Sequence, residues 1–340
     1  MDYAKLWFAL WGILWAVYFA LDGFDLGVGM VWRAVARTEE EKSGAAASIF
    51  PFWDGNEVWL VAAGGITFAA FPGAYAAMFS WFYSAMFLAL FGLILRGVSL
   101  EFMRKAPGTR LKALLEAGFT AGSFLPALVF GIAFGNIFRG LPSGPSGYEG
   151  NLPGLINSYS LLFAALFASL FAFHGSLWLS FKTSGPPSAR ASALAKKLWN
   201  AAAVLVAAVF IYSAFDTALY NNYFNRKHLF VIPLLCVISL AAARFLAARR
   251  PAAAFACSMA AIASLLVSGF IGIYPELLPS RLDPVYSVTI FNSASGPYTL
   301  KIMARAAALF LPLIMAYQFW VYRLFHSPLN PEELKKSGIY

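Results

Sequence analysis

Long apolar runs, each broken by a short polar or basic stretch, set the pattern of this chain. A helix needs about 20 apolar residues to cross a hydrocarbon core of roughly 30 Å. Runs of that length recur near residues 5–32, 50–72, 74–98, 113–139, 156–181, 198–220, 229–247, 252–275 and 302–325, about nine predicted crossings. Only Phe71-Pro72-Gly73, a turn signal, parts the second from the third. The longest intervening stretches, about 140–155 and 276–301, carry no catalytic motif. The chain reads as one all-α integral membrane domain over 1–340, with helices 1–4 in about 1–140, helices 5–8 in about 156–276 and helix 9 in about 302–326. The first apolar run is too long for a cleavable signal, its flank Asp2/Lys5 is not strongly basic, and no small-residue cleavage site follows. No internal repeat stands out between the halves.

Composition agrees with this class. Charged residues make up 12% of the chain, against about 25% in soluble domains. Aromatic residues reach 17%, as suits helices with Trp and Tyr at both interfaces. The net charge of +9 lies in short loops rather than along a surface stripe, so it excludes a nucleic-acid partner and reports orientation instead. With the N-terminus outside, the inner segments hold 18 of the 25 Lys and Arg residues, Arg104, Lys335 and Lys336 among them. The positive-inside rule then predicts an external N-terminus, a cytoplasmic C-terminus and an odd number of crossings. Cys236 and Cys257 fall in apolar runs and read as buried free thiols. The tail Ser327-Pro328-Leu329-Asn330-Pro331-Glu332-Glu333 reads as exposed.

Acidic residues interrupt two of the apolar runs. Leu21-Asp22-Gly23-Phe24-Asp25-Leu26-Gly27 and Trp53-Asp54-Gly55-Asn56-Glu57-Val58-Trp59 each place two carboxylates three residues apart, on one helix face. A charge at mid-bilayer costs roughly 2.5–3.5 kcal/mol on insertion scales, so such residues face a bundle interior and mark a pathway or a partner. The predicted topology puts Asp22, Asp25, Asp54 and Glu57 in cytoplasmic halves, level with Arg96 of the third run. Together they predict a polar pocket open to the cytoplasm, suited to proton uptake or to one ion-pair network. The bland alternatives are a helix-locking contact for Asp22 and Asp25, a helix N-terminus simply decorated by Asp54 and Glu57, and a snorkelling interface arginine for Arg96. Pro51 starts or kinks the second helix. His174, in Phe173-His174-Gly175, is a candidate haem or metal ligand, although a lone buried histidine is more often a packing residue. Gly23-x-x-x-Gly27 and Gly131-x-x-x-Gly135 read as close helix contacts. Asp216 reads as interfacial, and no nucleotide, haem-attachment or zinc motif appears.

At its acidic motifs the chain resembles subunit II of the cytochrome bd-type quinol oxidases. The resemblance rests on Asp22-Gly23-Phe24-Asp25-Leu26-Gly27-Val28-Gly29-Met30 and Trp53-Asp54-Gly55-Asn56-Glu57-Val58-Trp59-Leu60. It continues through Phe68-Ala69-Ala70-Phe71-Pro72, Gly131-Ile132-Ala133-Phe134-Gly135-Asn136 and Tyr274-Pro275-Glu276-Leu277-Leu278-Pro279-Ser280. About 183–260 resembles the family in hydropathy alone. The resemblance implies two four-helix bundles with a peripheral ninth helix, in a bacterial inner membrane. It implies a complex that oxidises quinol and reduces O2 to water, with two b-type haems and one d-type haem held by subunit I and none by this chain. It admits a small single-helix subunit and membrane lipid as further partners. By position, Asp25 and Asp54 match the family's proton-path acids, and Asp22 and Arg96 match nearby polar positions. Glu57 falls where members carry Gln or Glu, and Phe52 where some carry a polar residue. The rival reading is a proton-coupled transporter acting alone, and a third is a purely structural membrane subunit. No pair of Gly/Pro-broken helices at matching places supports the transporter.

Overall fold

The computed structural model describes residues 2–103, 105, 106 and 108–329. Arg104, Lys335, Lys336 and the tail from Asn330 onward, used above for orientation and exposure, lie outside the described residues. The helices, in chain order, are α1 (Tyr3–Val35), α2 (Glu39–Ala47), α3 (Trp53–Ala70), α4 (Pro72–Trp81), α5 (Tyr83–Phe102) and α6 (Thr109–Arg139). They continue as α7 (Ser158–Lys182), α8 (Pro186–Asp216), α9 (Asn221–Asn225), α10 (Val231–Leu246), α11 (Pro251–Ile273) and α12 (Pro297–Leu324). Among the described residues, eight helical stretches are long and apolar enough to cross a membrane: α1, α5, α6, α7, α8, α10 with the turn before it, α11 and α12. α3 lies among them and is less apolar because Asp54, Asn56 and Glu57 occupy its first turns.

α1 runs through the middle. It packs against α3, α6, α7 and α11, while α5 pairs with α6, α8 with α7 and α10 with α11. Tyr18, Phe19, Ala20 and the whole stretch Asp22–Trp32 of α1 are buried, as befits a helix surrounded by others. α1, α3, α4, α5 and α6 thus form one group, α7, α8, α10 and α11 a second, and α6 and α1 join them by packing on α7. The join needs glycine. A Cβ on Gly27 would overlap the Phe171 carbonyl, and one on Gly175 would overlap the Gly27–Val28 backbone. Gly131 lies against the Ala164 backbone in the same way, so both small-residue motifs serve helix contact. α12 stands at the periphery, almost wholly exposed, and touches only α1 and α3 to any extent.

Several boundaries differ from the sequence expectation. The third run is two helices, α4 and α5, broken at Phe82, whose N–H still bonds the Met78 carbonyl and whose carbonyl still accepts from Met86. The break is therefore a kink around a buried Phe82 ring rather than a new loop. Pro51 stands in the turn before α3 and does not kink it. α8 begins at Pro186, twelve residues before the expected start at 198. Pro186-Pro187 is suited to a first turn, and the basic Arg190, Lys196 and Lys197 continue the helix beyond its apolar part. α2 is a short helix started by a capping box between Thr38 and Glu41. Cys236 is a buried free thiol, whereas Cys257 is only partly buried. The two long loops meet each other. The Leu141 N–H bonds the Pro279 carbonyl at 2.8 Å and the Arg281 N–H bonds the Leu141 carbonyl at 2.9 Å. Asp216, at the end of α8, draws Arg139 (2.6 Å) and Arg281 (3.2 Å) into that same end.

Candidate functional site

The two acidic segments face each other across α1 and α3, and α5 supplies the counter-charge. Gly122 of α6 has no side chain to hold α6 away from the Arg96 backbone, so α5 is pressed inward there. Arg96 is fully buried. Its Nη1 donates to Asp22 Oδ1 at 2.9 Å, its Nη2 donates to Glu57 Oε1, and its guanidinium lies 5.7 Å from the centre of the Trp53 ring. Asp22 is also fully buried, whereas the Glu57 side chain keeps 24% of its surface exposed. The arginine is thus a bridge among α1, α3 and α5 and not a snorkelling interface residue.

Asp25, one turn beyond Asp22, is buried without a cationic partner. Its Oδ2 accepts a 2.6 Å hydrogen bond from Asn56 Nδ2. Asn56 Oδ1 in turn accepts from Gln318 Nε2 and from the Tyr322 hydroxyl, both at 2.9 Å. Gln318 Oε1 accepts from Trp59 Nε1 at 2.6 Å. The peripheral helix α12 therefore reaches into the site with two polar side chains. Asp22 Oδ2, Asp25 Oδ1, the Tyr18 hydroxyl and Arg96 Nε are buried and meet no hydrogen-bond partner within normal distance among the described residues. Polar atoms so placed are the ones that ordered water satisfies. Three of the four belong to Tyr18, Asp22 and Asp25, which lie on one face of α1.

Of the residues expected from sequence, Asp22, Glu57 and Arg96 form one ion-paired triad, and Asp25 joins it through the helix face. Asp54 does not enter the cluster. It is exposed, one turn before Glu57 on α3. Asn56, Trp59, Gln318 and Tyr322 were missed as site residues. Gln318 carried a usable signal, an amide in the apolar run Met315-Ala316-Tyr317-Gln318-Phe319-Trp320. Glu116 of α6 was also missed. It is buried, binds Lys42 at 3.0 Å and Arg33 at 3.4 Å, and ties α6 to the end of α1 and to α2.

His174 is a packing residue. Its Nε2 faces the Ala20 carbonyl at 3.1 Å, its Nδ1 lies 2.6 Å from Ser258 Oγ, and its ring stacks on Phe255 with centres 4.4 Å apart. A carbonyl only accepts, so Nε2 bears the hydrogen, and in the neutral ring Nδ1 accepts from Ser258. Neither nitrogen has a lone pair left for a haem iron, so His174 does not fit that role. Among the described residues, no group of three or more His, Cys, Asp or Glu is placed to hold a metal ion.

A multi-pass helical membrane protein with a charge network sealed inside its bundle is the class that this fold and site define. The family model for cytochrome bd terminal oxidase subunit II matches residues 3–325, and the chain belongs to that family. It is 33% identical over 332 residues to cytochrome bd ubiquinol oxidase subunit 2 of Bacillus subtilis, across 96% of this chain and 97% of that protein. It is 31% identical over 374 residues to cytochrome bd-I ubiquinol oxidase subunit 2 of Escherichia coli, across 99% and 98%. The structure of bd oxidase from Geobacillus thermodenitrificans shares the fold, with a TM-score of 0.76 at 16% identity over 96% of this chain and 99% of that one.

Proposed function

We propose that this chain is the haem-free partner in a quinol:O2 oxidoreductase and lends carboxylates to the protons that O2 reduction consumes. The observation that carries the reading is the fully buried Asp25, held by a neutral amide next to an Asp22–Arg96–Glu57 triad. Asp22 is committed to the guanidinium, so Asp25 is the carboxyl left to take up and release a proton. Asp54, exposed, and Glu57, partly exposed, stand where a proton from the cytoplasm would first meet the chain. Arg96 fixes the gap between α1 and α3 that the proton then crosses to Asp25. Electron transfer from quinol to O2 belongs to two b-type haems and one d-type haem in subunit I, which the exposed face of α3 with Asp54 would meet. A small single-helix subunit and membrane lipid complete the assembly. The chain sits in the cytoplasmic membrane with its N-terminus outside and its C-terminus inside, an orientation supported by the Lys and Arg distribution. Membership in a terminal-oxidase family leaves the lone-transporter reading without support.

The test is oxygen consumption by the purified complex carrying Asp25→Asn or Asp54→Asn, with the reduced-minus-oxidised visible spectrum as control. A positioned proton-transfer group contributes about 10²–10⁴-fold, so Asp25→Asn is expected to slow turnover by at least about 100-fold with haem content unchanged. Loss of haem along with turnover would make the residue structural, and parental turnover would remove it from the proton path.

A further inference from the structure

The hydrogen bonds that lead from α12 to Asp25 all run in one direction. We infer that Gln318 and Tyr322 are positioning residues that force Asp25 to exchange its proton at Oδ1 and not at Oδ2; this rests on the proton-supply reading above. The direction starts at Trp59. An indole N–H donates and cannot accept, so the atom of Gln318 that meets it at 2.6 Å is the carbonyl oxygen. The Gln318 amide NH2 then points the other way, to Asn56, and the Asn56 atom that meets it must be an acceptor, Oδ1. The Tyr322 hydroxyl donates to the same oxygen at 2.9 Å, a second donor that a flipped Asn56 amide would meet with N–H against O–H. With Oδ1 so held, the Asn56 NH2 is presented to Asp25 Oδ2 at 2.6 Å. Its other N–H lies 3.5 Å from the Leu21 carbonyl, a long contact that does not compete.

Asp25 Oδ2 is thus an acceptor in every protonation state of the acid. The hydrogen of the neutral acid belongs on Oδ1, the oxygen that has no protein partner. Asp25 shares its face of α1 with Asp22 and Tyr18, whose Oδ2 and hydroxyl likewise meet no hydrogen-bond partner among the described residues. Proton arrival and departure are therefore confined to Oδ1, the oxygen that Asn56 does not hold. α12 never touches the proton. It fixes which oxygen carries it.

The complex, purified with its haem-bearing subunit, is tested as Gln318→Leu, as Tyr322→Phe and as the double variant. Each single variant leaves one donor on Asn56 Oδ1 and is expected to lose only a small part of the turnover that the double variant loses. The double variant frees the amide and is expected to lose about tenfold in kcat, with KM for quinol unchanged. In infrared difference spectra the protonated Asp25 carbonyl band, identified by its disappearance in Asp25→Asn, is expected to move to higher wavenumber in the double variant, because its N–H partner is no longer held. Single losses that merely add in the double variant, or an unmoved band, would overturn the inference. Where the double variant does not assemble, Gln318→Met combined with Tyr322→Phe keeps nearly the volume and offers Asn56 Oδ1 no donor. The same loss is expected there, and parental turnover sinks the proposal. Parental turnover in Asp25→Asn would instead sink the proton-supply reading itself, whereas a slow Asp25→Asn beside an unaffected double variant sinks only the positioning role.

Discussion

Arg96→Met isolates the charge triad from the rest of the fold. The side chain is fully buried, Asp22 is fully buried and Glu57 is about three-quarters buried. Methionine fills much of the same volume, so the packing loss is small and the main cost is the carboxylate left behind. Removing one member of a buried pair costs about 3–5 kcal/mol. With an unfolding entropy of about 2.1 cal/mol/K per residue, 340 residues turn that cost into a fall of about 4–7 °C in melting temperature. The assay is thermal melting of the detergent-purified complex at pH 7.5, with the visible haem spectrum as a check on assembly. A companion variant, Arg96→Met with Asp22→Leu and Glu57→Gln, removes both orphaned charges. It is expected to recover most of the loss, because an apolar replacement of a buried ion cluster is often neutral or better. Asp54→Asn, at an exposed position outside the cluster, is expected to shift stability by no more than about 0.5 kcal/mol. Arg96→Met melting within 1 °C of the parent, by roughly the accuracy of such scaling, would refute the view that the triad is desolvated.

Three further outcomes follow from the geometry. Lys182 is 2% exposed, donates to the carbonyls of Phe325 and Ser327, and sits 5.3 Å from the Trp178 ring centre. Lys182→Met is expected to release the segment after α12, read as faster proteolysis there while the rest of the chain stays resistant. His174→Phe is expected to leave the reduced-minus-oxidised spectrum unchanged while costing about 1–3 kcal/mol, because the Ala20 carbonyl loses the histidine N–H and Ser258 keeps only the Phe255 carbonyl; a lost haem band would contradict the packing role. On α2, the Arg190 guanidinium holds the Glu41 carboxyl below its usual range, and Lys112 with Lys42 does the same for Glu39. Folded values below unfolded ones mean stability present above the ordinary carboxylate range and lost as pH falls through the folded values. Arg190→Gln is therefore expected to flatten the drop in melting temperature on acidification below about pH 4.5, and an unchanged slope would count against the pairing.

The membrane class, the crossings and the acidic cluster were legible because burial in lipid writes itself into long apolar runs, where every charge stands out. Asp22, Glu57 and Arg96 could be placed at one depth from topology alone. Whether a side chain at that depth faces inward was not legible where helix rotation decides it. Asp54 and Glu57 are three residues apart on α3, yet Glu57 meets Arg96 while Asp54 faces outward. Asn56 escaped notice because a neutral amide costs far less in lipid than a charge. Gln318 and Tyr322 escaped because their partner lies 262 and 266 residues away in sequence. The early start of α8 was hidden by its charges, which read as loop but lie on a helix that outlasts its apolar part.

The spacing of the site along the chain has a consequence for biosynthesis. Asp22 leaves the ribosome 74 residues before Arg96 and Asn56 leaves it more than 260 residues before its α12 donors. α1 must enter the lipid with two carboxyls and no counter-ion, at a cost of about 2.5–3.5 kcal/mol for each that stays charged. It must then wait for α2, α3, α4 and most of α5 to be made before its arginine arrives. The first helix to be translated thus stays uncompensated in the bilayer until α5 is made, and a chain that stops before α12 leaves Asn56 free to turn.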